Sequence, residues 1–198
     1  MRKANKNPML LFFGIMAVTL GVGDAFHLIP RAYALCTDGL AAHTTALGIG
    51  KFITSITMTV FYVLLYHIWE MRYTIYSSAL RISIYLLAII RIALCFFPQN
   101  AWTSAQAPIS WGILRNLPFA VMGIVIIVLF YWQAKRNNDH VFRFMWLAIT
   151  LSFLFYIPVV LWADTMPLIG MLMIPKTLAY VWVVFMGYQL MKKELNLK

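Results

Sequence analysis

Six apolar stretches, each about as long as a membrane-crossing helix, dominate this sequence. The hydrocarbon core of a bilayer is about 30 Å thick, so a helix needs about 20 mainly apolar residues to cross it. The stretches are predicted to run over residues 9–29, 43–66, 80–97, 110–132, 141–162 and 167–191. We therefore predict an all-α fold, in which six transmembrane helices form a single domain over residues 1–198.

The composition supports the same conclusion. Hydrophobic residues make up 63% of the 198 residues and charged residues only 11%, against roughly 45–50% and 25% in soluble domains. A globule of this size has too little polar surface to cover that excess, so the lipid bilayer is the predicted partner and the cell membrane the predicted location. The net charge of +10 is spread between the apolar stretches and forms no basic run, which argues against nucleic-acid binding.

The distribution of Lys and Arg predicts the orientation of the bundle. Eleven of them fall at one end: Arg2, Lys3, Lys6, Arg72, Arg81, Lys135, Arg136, Arg143, Lys192, Lys193 and Lys198. By the positive-inside rule this end is cytoplasmic, and it holds both termini. Tryptophans near helix ends, Trp102 among them, are typical of an aromatic belt.

A secretory signal peptide is the alternative interpretation of the first helix. Residues 2–6 would be its basic region, 9–22 its apolar region and 32–34 its cleavage site. The apolar stretch continues to Ile29, which is longer than a signal peptide needs, so we favour a membrane helix.

Four basic residues inside the predicted helices suggest a binding site. They are Lys51, Arg91, Arg115 and Lys176. Counting from the outer helix ends at the rise of an α-helix, they lie about 8–13 Å deep, all in the outer half of the membrane. A cation in lipid costs between about 2.5 and 17 kcal/mol. We therefore predict that these side chains face a polar cavity that opens outward.

Polar residues near the four cations extend the predicted site. Asp24, His27 and Arg31 are spaced i, i+3 and i+7 and so share one face of the first helix. The full set of predicted ligand-binding residues is Arg31, Lys51, Ser55, Arg91, Arg115, Asn116, Tyr156, Lys176 and Tyr180. Their positive excess predicts an anionic small molecule or lipid headgroup as ligand. In the alternative, Arg91 and Arg115 snorkel to the interface, and Asp24 and Asp164 are structural counter-ions.

Other motifs add little. Phosphate-binding loops, GxSxG, HExxH and CxxC are absent, and we predict neither a cofactor nor a metal. A metal site of Asp24, His27 and His43 is a minor alternative. Whether Cys36 and Cys95 form a disulfide stays open. His67 and Glu70 are predicted to pair at the cytoplasmic interface.

Two segments resemble the YhhN lysoplasmalogenase family. They are Gly23-Asp24-Ala25-Phe26-His27-Leu28, and Leu47-Gly48-Ile49-Gly50-Lys51-Phe52 continuing to Phe61-Tyr62. Members of that family are multi-helix membrane hydrolases that cleave the vinyl-ether bond of lysoplasmalogens and use intramembrane aspartates. The resemblance implies a functional role for Asp24.

Three functions therefore stay open at this point. In a lipid-acting membrane hydrolase, Asp24 and His27 would be the acid–base pair and the cations would hold a phosphate or carboxylate. A solute-binding or transport subunit is the second, because six helices with an outward pocket resemble the substrate-binding subunits of energy-coupling-factor vitamin importers. A membrane sensor or assembly partner is the third.

Overall fold

Six long helices make up most of the molecule. The computed structural model describes residues 7–163 and 165–196, and this part of the chain is helical and contains no strand. The helices are α1 Pro8–Cys36, α2 Thr44–Tyr73, α3 Ser78–Cys95, α4 Ile109–Arg136, α5 Met145–Trp162 and α6 Met173–Asn196. Six helices of the described chain are long and apolar enough to cross a membrane. The prediction of an all-α fold is confirmed, and the six long apolar helices are compatible with the predicted six-span membrane bundle.

The helices alternate in direction, so the bundle has two faces. We call the face where α1 begins the Pro8 face, and the face where α1 ends the Cys36 face. Three connectors meet at the Cys36 face and contain the short 3-10 helices Leu40–His43, Pro98–Asn100 and Pro167–Leu172.

Several helices extend beyond their predicted ends. α1 continues to Cys36 instead of Ile29, and α2 continues to Tyr73 instead of Tyr66, so most of the two predicted linkers is helical. Hydropathy falls where charged residues begin, but helical hydrogen bonding continues past that point. α2 ends only at Thr74, which adopts φ 52° and donates its backbone N–H to the Glu70 carbonyl.

The last two helices begin later than predicted. α5 starts at Met145 instead of residue 141, because the Asp139 side chain binds the backbone N–H groups of Val141 and Phe142 in a turn. α6 starts at Met173 after a 3-10 segment, and this places Pro175 in its first turn, where no N–H is needed.

α1 and α2 approach each other closely. A Cβ added at Gly50 of α2 would overlap the backbone carbonyl oxygen of Phe26 in α1. One turn further along α2, the Thr54 hydroxyl donates to the Gly23 carbonyl at 2.8 Å. Only a residue without a side chain permits this approach at position 50, so the α1–α2 pair forms a fixed wall of the bundle.

An ion pair ties α2 to the α4–α5 turn at the Pro8 face. Nε and Nη2 of Arg72 donate to the Asp139 carboxylate at 2.8 and 3.0 Å. Burial by itself raises the pKa of Asp139, but the hydrogen bonds and charge of Arg72 and the N–H groups of Phe142 and Val141 outweigh it and hold the pKa below its usual value. The pair therefore stays charged into the acidic range.

A second ionic cluster joins α2 to α3 at the same face. Glu70 is only 2% exposed. It accepts hydrogen bonds from the Tyr66 hydroxyl at 2.9 Å and from Arg81 at 3.1 Å, and His67 Nδ1 lies 3.0 Å from its other oxygen. His67 Nε2 lies 2.7 Å from the Tyr85 hydroxyl. The predicted pairing of His67 with Glu70 is confirmed.

Candidate functional site: a cationic cavity at the Cys36 face

A cavity of about 380 Å³ lies among the helices toward the Cys36 face. All six helices contribute to its wall, and so do the α1–α2 and α3–α4 connectors. Nine of the eleven predicted site residues line it: His27, Arg31, Lys51, Ser55, Arg91, Arg115, Asn116, Tyr156 and Lys176. Asp24 and Tyr180 do not line it.

Arg91 is the most deeply buried of these cations. It is 1% exposed, and its guanidinium carbon lies 3.5 Å from the centre of the Phe119 ring. Nη2 donates to Asn116 Oδ1 at 3.4 Å, whereas Nε and Nη1 are buried without a hydrogen-bond partner. This burial is incompatible with the snorkelling alternative for Arg91.

Asn116 of α4 links Arg91 of α3 to Tyr156 of α5. Its Nδ2 donates to the Gly112 carbonyl at 2.8 Å, one turn earlier in α4. Its Oδ1 also accepts a hydrogen bond from the Tyr156 hydroxyl of α5 at 3.0 Å. The amide is therefore held in one orientation, with its oxygen directed at Arg91.

Lys176 is paired with Asp24 behind the cavity wall. Nζ of Lys176 lies 3.6 Å from Asp24 Oδ1, and the other carboxylate oxygen accepts from the Thr177 hydroxyl at 2.9 Å. Lys176 is 2% exposed, and Nζ makes no hydrogen bond. Its ammonium also lies 5.3 Å from the centre of the Tyr180 ring. Asp24 thus contacts the cavity only through Lys176.

His27 completes the buried end of the cavity. It is 5% exposed, and both ring nitrogens are buried without a hydrogen-bond partner. It lies within Coulombic range of Lys176, Arg31 and Lys51. A buried imidazole with two unused polar atoms in a cavity wall is a candidate ligand-binding group.

Arg115 is held from the α3–α4 connector. Nη1 donates to Asn100 Oδ1 at 2.9 Å, and the guanidinium carbon lies 4.3 Å from the centre of the Trp102 ring. Asn100 is fully buried, and its amide donates to the carbonyls of Leu94 and Phe97. The connector is thereby fixed against the end of α3 and presents Arg115 to the cavity.

Asn100 and Trp102 were not predicted as site residues. Trp102 was predicted to belong to an aromatic belt, but it lines the cavity and donates from Nε1 to the Cys95 carbonyl. A Cβ added at Gly48 would overlap the Trp102 carbonyl, so the connector packs directly on α2. Gly48 was the available sequence signal, since a small residue in an apolar helix lets another backbone approach closely.

Arg31, Lys51 and Ser55 form the remaining part of the predicted set. The guanidinium of Arg31 packs against Gly170 in the α5–α6 connector, at a site that a Cβ would fill. Lys51 is exposed, and its backbone carbonyl accepts from the Ser55 hydroxyl at 2.8 Å. Asp164, the other suggested counter-ion, lies outside the described residues.

Tyr180 lies in the core beneath the cavity. It is 1% exposed, and its hydroxyl is 3.0 Å from the Tyr62 hydroxyl of α2. It contacts Lys176 through its ring, so its place is next to the site and not in the wall.

The structure also bears on the alternative metal site and on the possible disulfide. Among the described residues, no three His, Cys, Asp or Glu side chains are grouped as metal ligands. His43 lies beside Thr37, 3.3 Å from its hydroxyl, so the alternative metal set with Asp24 and His27 does not assemble. Cys36 and Cys95 are free thiols, the first exposed and the second buried.

Comparison with known proteins identifies no relative of this chain. No family model, curated protein or solved structure matches the chain. The resemblance to the YhhN family therefore stays a prediction, and function has to be inferred from the cavity itself.

Proposed function

We propose that this multi-pass membrane protein binds an anionic small molecule or lipid headgroup in the cavity at the Cys36 face. The observation that carries the proposal is Arg91, a guanidinium that is 1% exposed, lines the cavity and leaves Nε and Nη1 without a partner. Lys176 and His27 lie in the same wall, and their side-chain nitrogens make no hydrogen bond.

A bound anion would further stabilise the buried guanidinium of Arg91. Burying an ion costs several kcal/mol even after the protein relaxes. A cation–π contact such as the one between Arg91 and Phe119 returns about 2 kcal/mol when desolvated. The long hydrogen bond from Arg91 to the neutral amide oxygen of Asn116 returns about 1.5–3 kcal/mol at most. A bound anion that accepts from Nε and Nη1 would add charge-assisted hydrogen bonds to these terms.

Asp24 is better suited to holding Lys176 than to catalysis. Both of its carboxylate oxygens face α6, one toward the ammonium of Lys176 and one toward the Thr177 hydroxyl. A general acid or base has to reach the substrate, but Asp24 does not line the cavity. We therefore propose binding, as in a solute-binding subunit, in preference to hydrolysis. Aldehyde release from a lysoplasmalogen by the purified protein would contradict this preference and support the hydrolase.

Arg91→Met should remove the bound anion. We expect native mass spectrometry of detergent-purified wild-type protein to show a co-purifying anionic species. Because a charged hydrogen-bond donor is lost at the buried end, its occupancy should fall about tenfold or more in Arg91→Met.

Arg136→Met is the matched control for that experiment. Arg136 is an exposed arginine at the end of α4 on the Pro8 face, so the variant loses the same charge away from the cavity. It should retain the anion, and the melting temperature of each variant shows whether it is folded. Equal retention by folded Arg91→Met would disprove the proposal.

We also propose that the Cys36 face is the outer one, in agreement with the distribution of Lys and Arg. In a background with both native cysteines replaced by serine, single cysteines at Gln99 and Thr165 should react with an impermeant maleimide added to intact cells. A cysteine at His140 should react only after permeabilisation. All three positions are exposed, the first two at the Cys36 face and the third at the Pro8 face. The reverse labelling pattern would invert the orientation.

A further inference from the structure

We infer that the buried end of the cavity binds a tetrahedral oxyanion, the phosphate group of a phosphorylated ligand, in preference to a carboxylate. The inference rests on the proposed function and specifies the ligand class for that same site. It depends on three side chains from three different helices: His27 of α1, Arg91 of α3 and Lys176 of α6.

These three side chains share two properties. Each is more than nine-tenths buried, at 5%, 1% and 2% exposure respectively. Each also lines the cavity with buried nitrogen atoms that make no hydrogen bond. Lys176 lies within Coulombic range of both His27 and Arg91. The nitrogens that make no hydrogen bond therefore belong to side chains that line the same cavity.

Arg91 and Lys176 are held in place by contacts that leave N–H donors available. The Phe119 ring stacks on the Arg91 guanidinium and fixes its plane, while Asn116 accepts from Nη2 alone. Lys176 is held by Asp24 at 3.6 Å and by the Tyr156 ring at 5.7 Å. Binding an anion then requires little rearrangement of either side chain, which favours affinity.

The placement of the donors on three helices distinguishes the two kinds of anion. A carboxylate is planar and has two oxygens, which a single arginine can bind in one plane. A phosphate monoester has three terminal oxygens that point in different directions. Because the donors come from α1, α3 and α6, they approach a ligand from different directions, which suits the divergent oxygens of a tetrahedral group better than the two coplanar oxygens of a carboxylate.

Charge favours the same ligand. The wall contains five Lys and Arg side chains: Arg31, Lys51, Arg91, Arg115 and Lys176. A phosphate monoester has a charge of about −1.5 to −2 at neutral pH, whereas a monocarboxylate has −1. The more highly charged anion compensates more of this positive charge, whether the phosphate belongs to a lipid headgroup or to a free metabolite.

The test is the melting temperature of the purified protein in a neutral detergent with different anions at equal ionic strength. Inorganic phosphate and sulfate should raise the melting temperature, and acetate and succinate should raise it less. Methyl phosphate and lysophosphatidic acid separate the two sources: stabilisation by methyl phosphate indicates a free metabolite, and stabilisation by lysophosphatidic acid alone indicates a lipid headgroup. Either result supports the inference.

Variants show whether the effect arises at the buried end. In Arg91→Met and Lys176→Met, phosphate should bind about tenfold or more weakly, because each loses a charged donor. Arg91→Lys keeps the positive charge but loses the planar guanidinium. It replaces the methionine variants in the test if those do not fold. Lys135→Met, an exposed lysine near the end of α4, should keep the full phosphate effect.

The outcomes against the inference are distinct from those against the proposed function. If acetate or succinate stabilises the protein at least as much as phosphate, and Arg91→Met abolishes that effect, the tetrahedral site is disproved while anion binding stands. If phosphate raises the melting temperature equally in wild type, Arg91→Lys and Lys176→Met, the site at the buried end is disproved. If no anion changes the melting temperature of the wild type, both proposals fail.

Discussion

Asp24→Asn is expected to destabilise the protein by about 3–5 kcal/mol, the cost of breaking a buried ion pair by removing one partner. The substitution preserves size and leaves an acceptor for the Thr177 hydroxyl, but Lys176 loses the carboxylate 3.6 Å from its ammonium. Lys176 is 2% exposed and cannot turn to water. The charge would then be buried without compensation.

Denaturation of purified protein in detergent measures this effect, with Asp38→Asn as the matched control. The side chain of Asp38 is 80% exposed and lies 3.9 Å from His43, so its loss should cost about 1 kcal/mol or less. The double variant Asp24→Asn with Lys176→Met should recover much of the loss, because no unpaired charge remains. If Asp24→Asn is as stable as Asp38→Asn, the ion pair does not support the fold.

Gly50→Ala is expected to have the second largest effect, a loss of about 2 kcal/mol or more. The new methyl group would overlap the Phe26 carbonyl oxygen, which belongs to the backbone of α1 and cannot rotate away. Overpacking of this kind costs typically about 1–3 kcal/mol. Separating α1 from α2 would also lengthen the hydrogen bond from Thr54 to the Gly23 carbonyl.

Gly21→Ala is the control for the same chemical change. Gly21 lies inside α1, and nothing lies within 4 Å of the position that its Cβ would occupy. Alanine is the better helix former by up to about 1 kcal/mol, so this variant should be neutral or slightly more stable. Similar stabilities for Gly50→Ala and Gly21→Ala would show that α1 and α2 separate at no cost.

The number and approximate position of the helices could be predicted because apolar length is a direct requirement of a bilayer. Their ends could not. The first helix was predicted to end at Ile29, yet it continues to Cys36, and Arg31 lies inside it with its guanidinium against Gly170. Charge marks where a segment leaves lipid, whereas the end of a helix depends on local backbone hydrogen bonds such as the one that Thr74 donates to Glu70.

The cations of the cavity could be identified from sequence because a charge within an apolar helix has to avoid lipid. Other parts of the site follow from tertiary packing. Asp24 of α1 lies behind Lys176 of α6 because of the way the two helices pack. The periodicity of the sequence does not predict how one helix is oriented against another. Asn100 and Trp102 reach the cavity through the path of a connector, which hydropathy does not describe.

The two ionic clusters of the Pro8 face have a consequence for how such a chain is inserted. By the positive-inside rule, Arg72 and Arg81 count as positive charges while the nascent helices are still apart, and acidic residues contribute little to orientation at that stage. Once the helices pack, Arg72 binds Asp139 and Arg81 binds Glu70. In the orientation proposed above, the same arginines would serve first as orientation signals for membrane insertion, and in the folded bundle they link helices through ion pairs. Carboxylates can be placed beside them without weakening the first role, because they act only after the topology has been established.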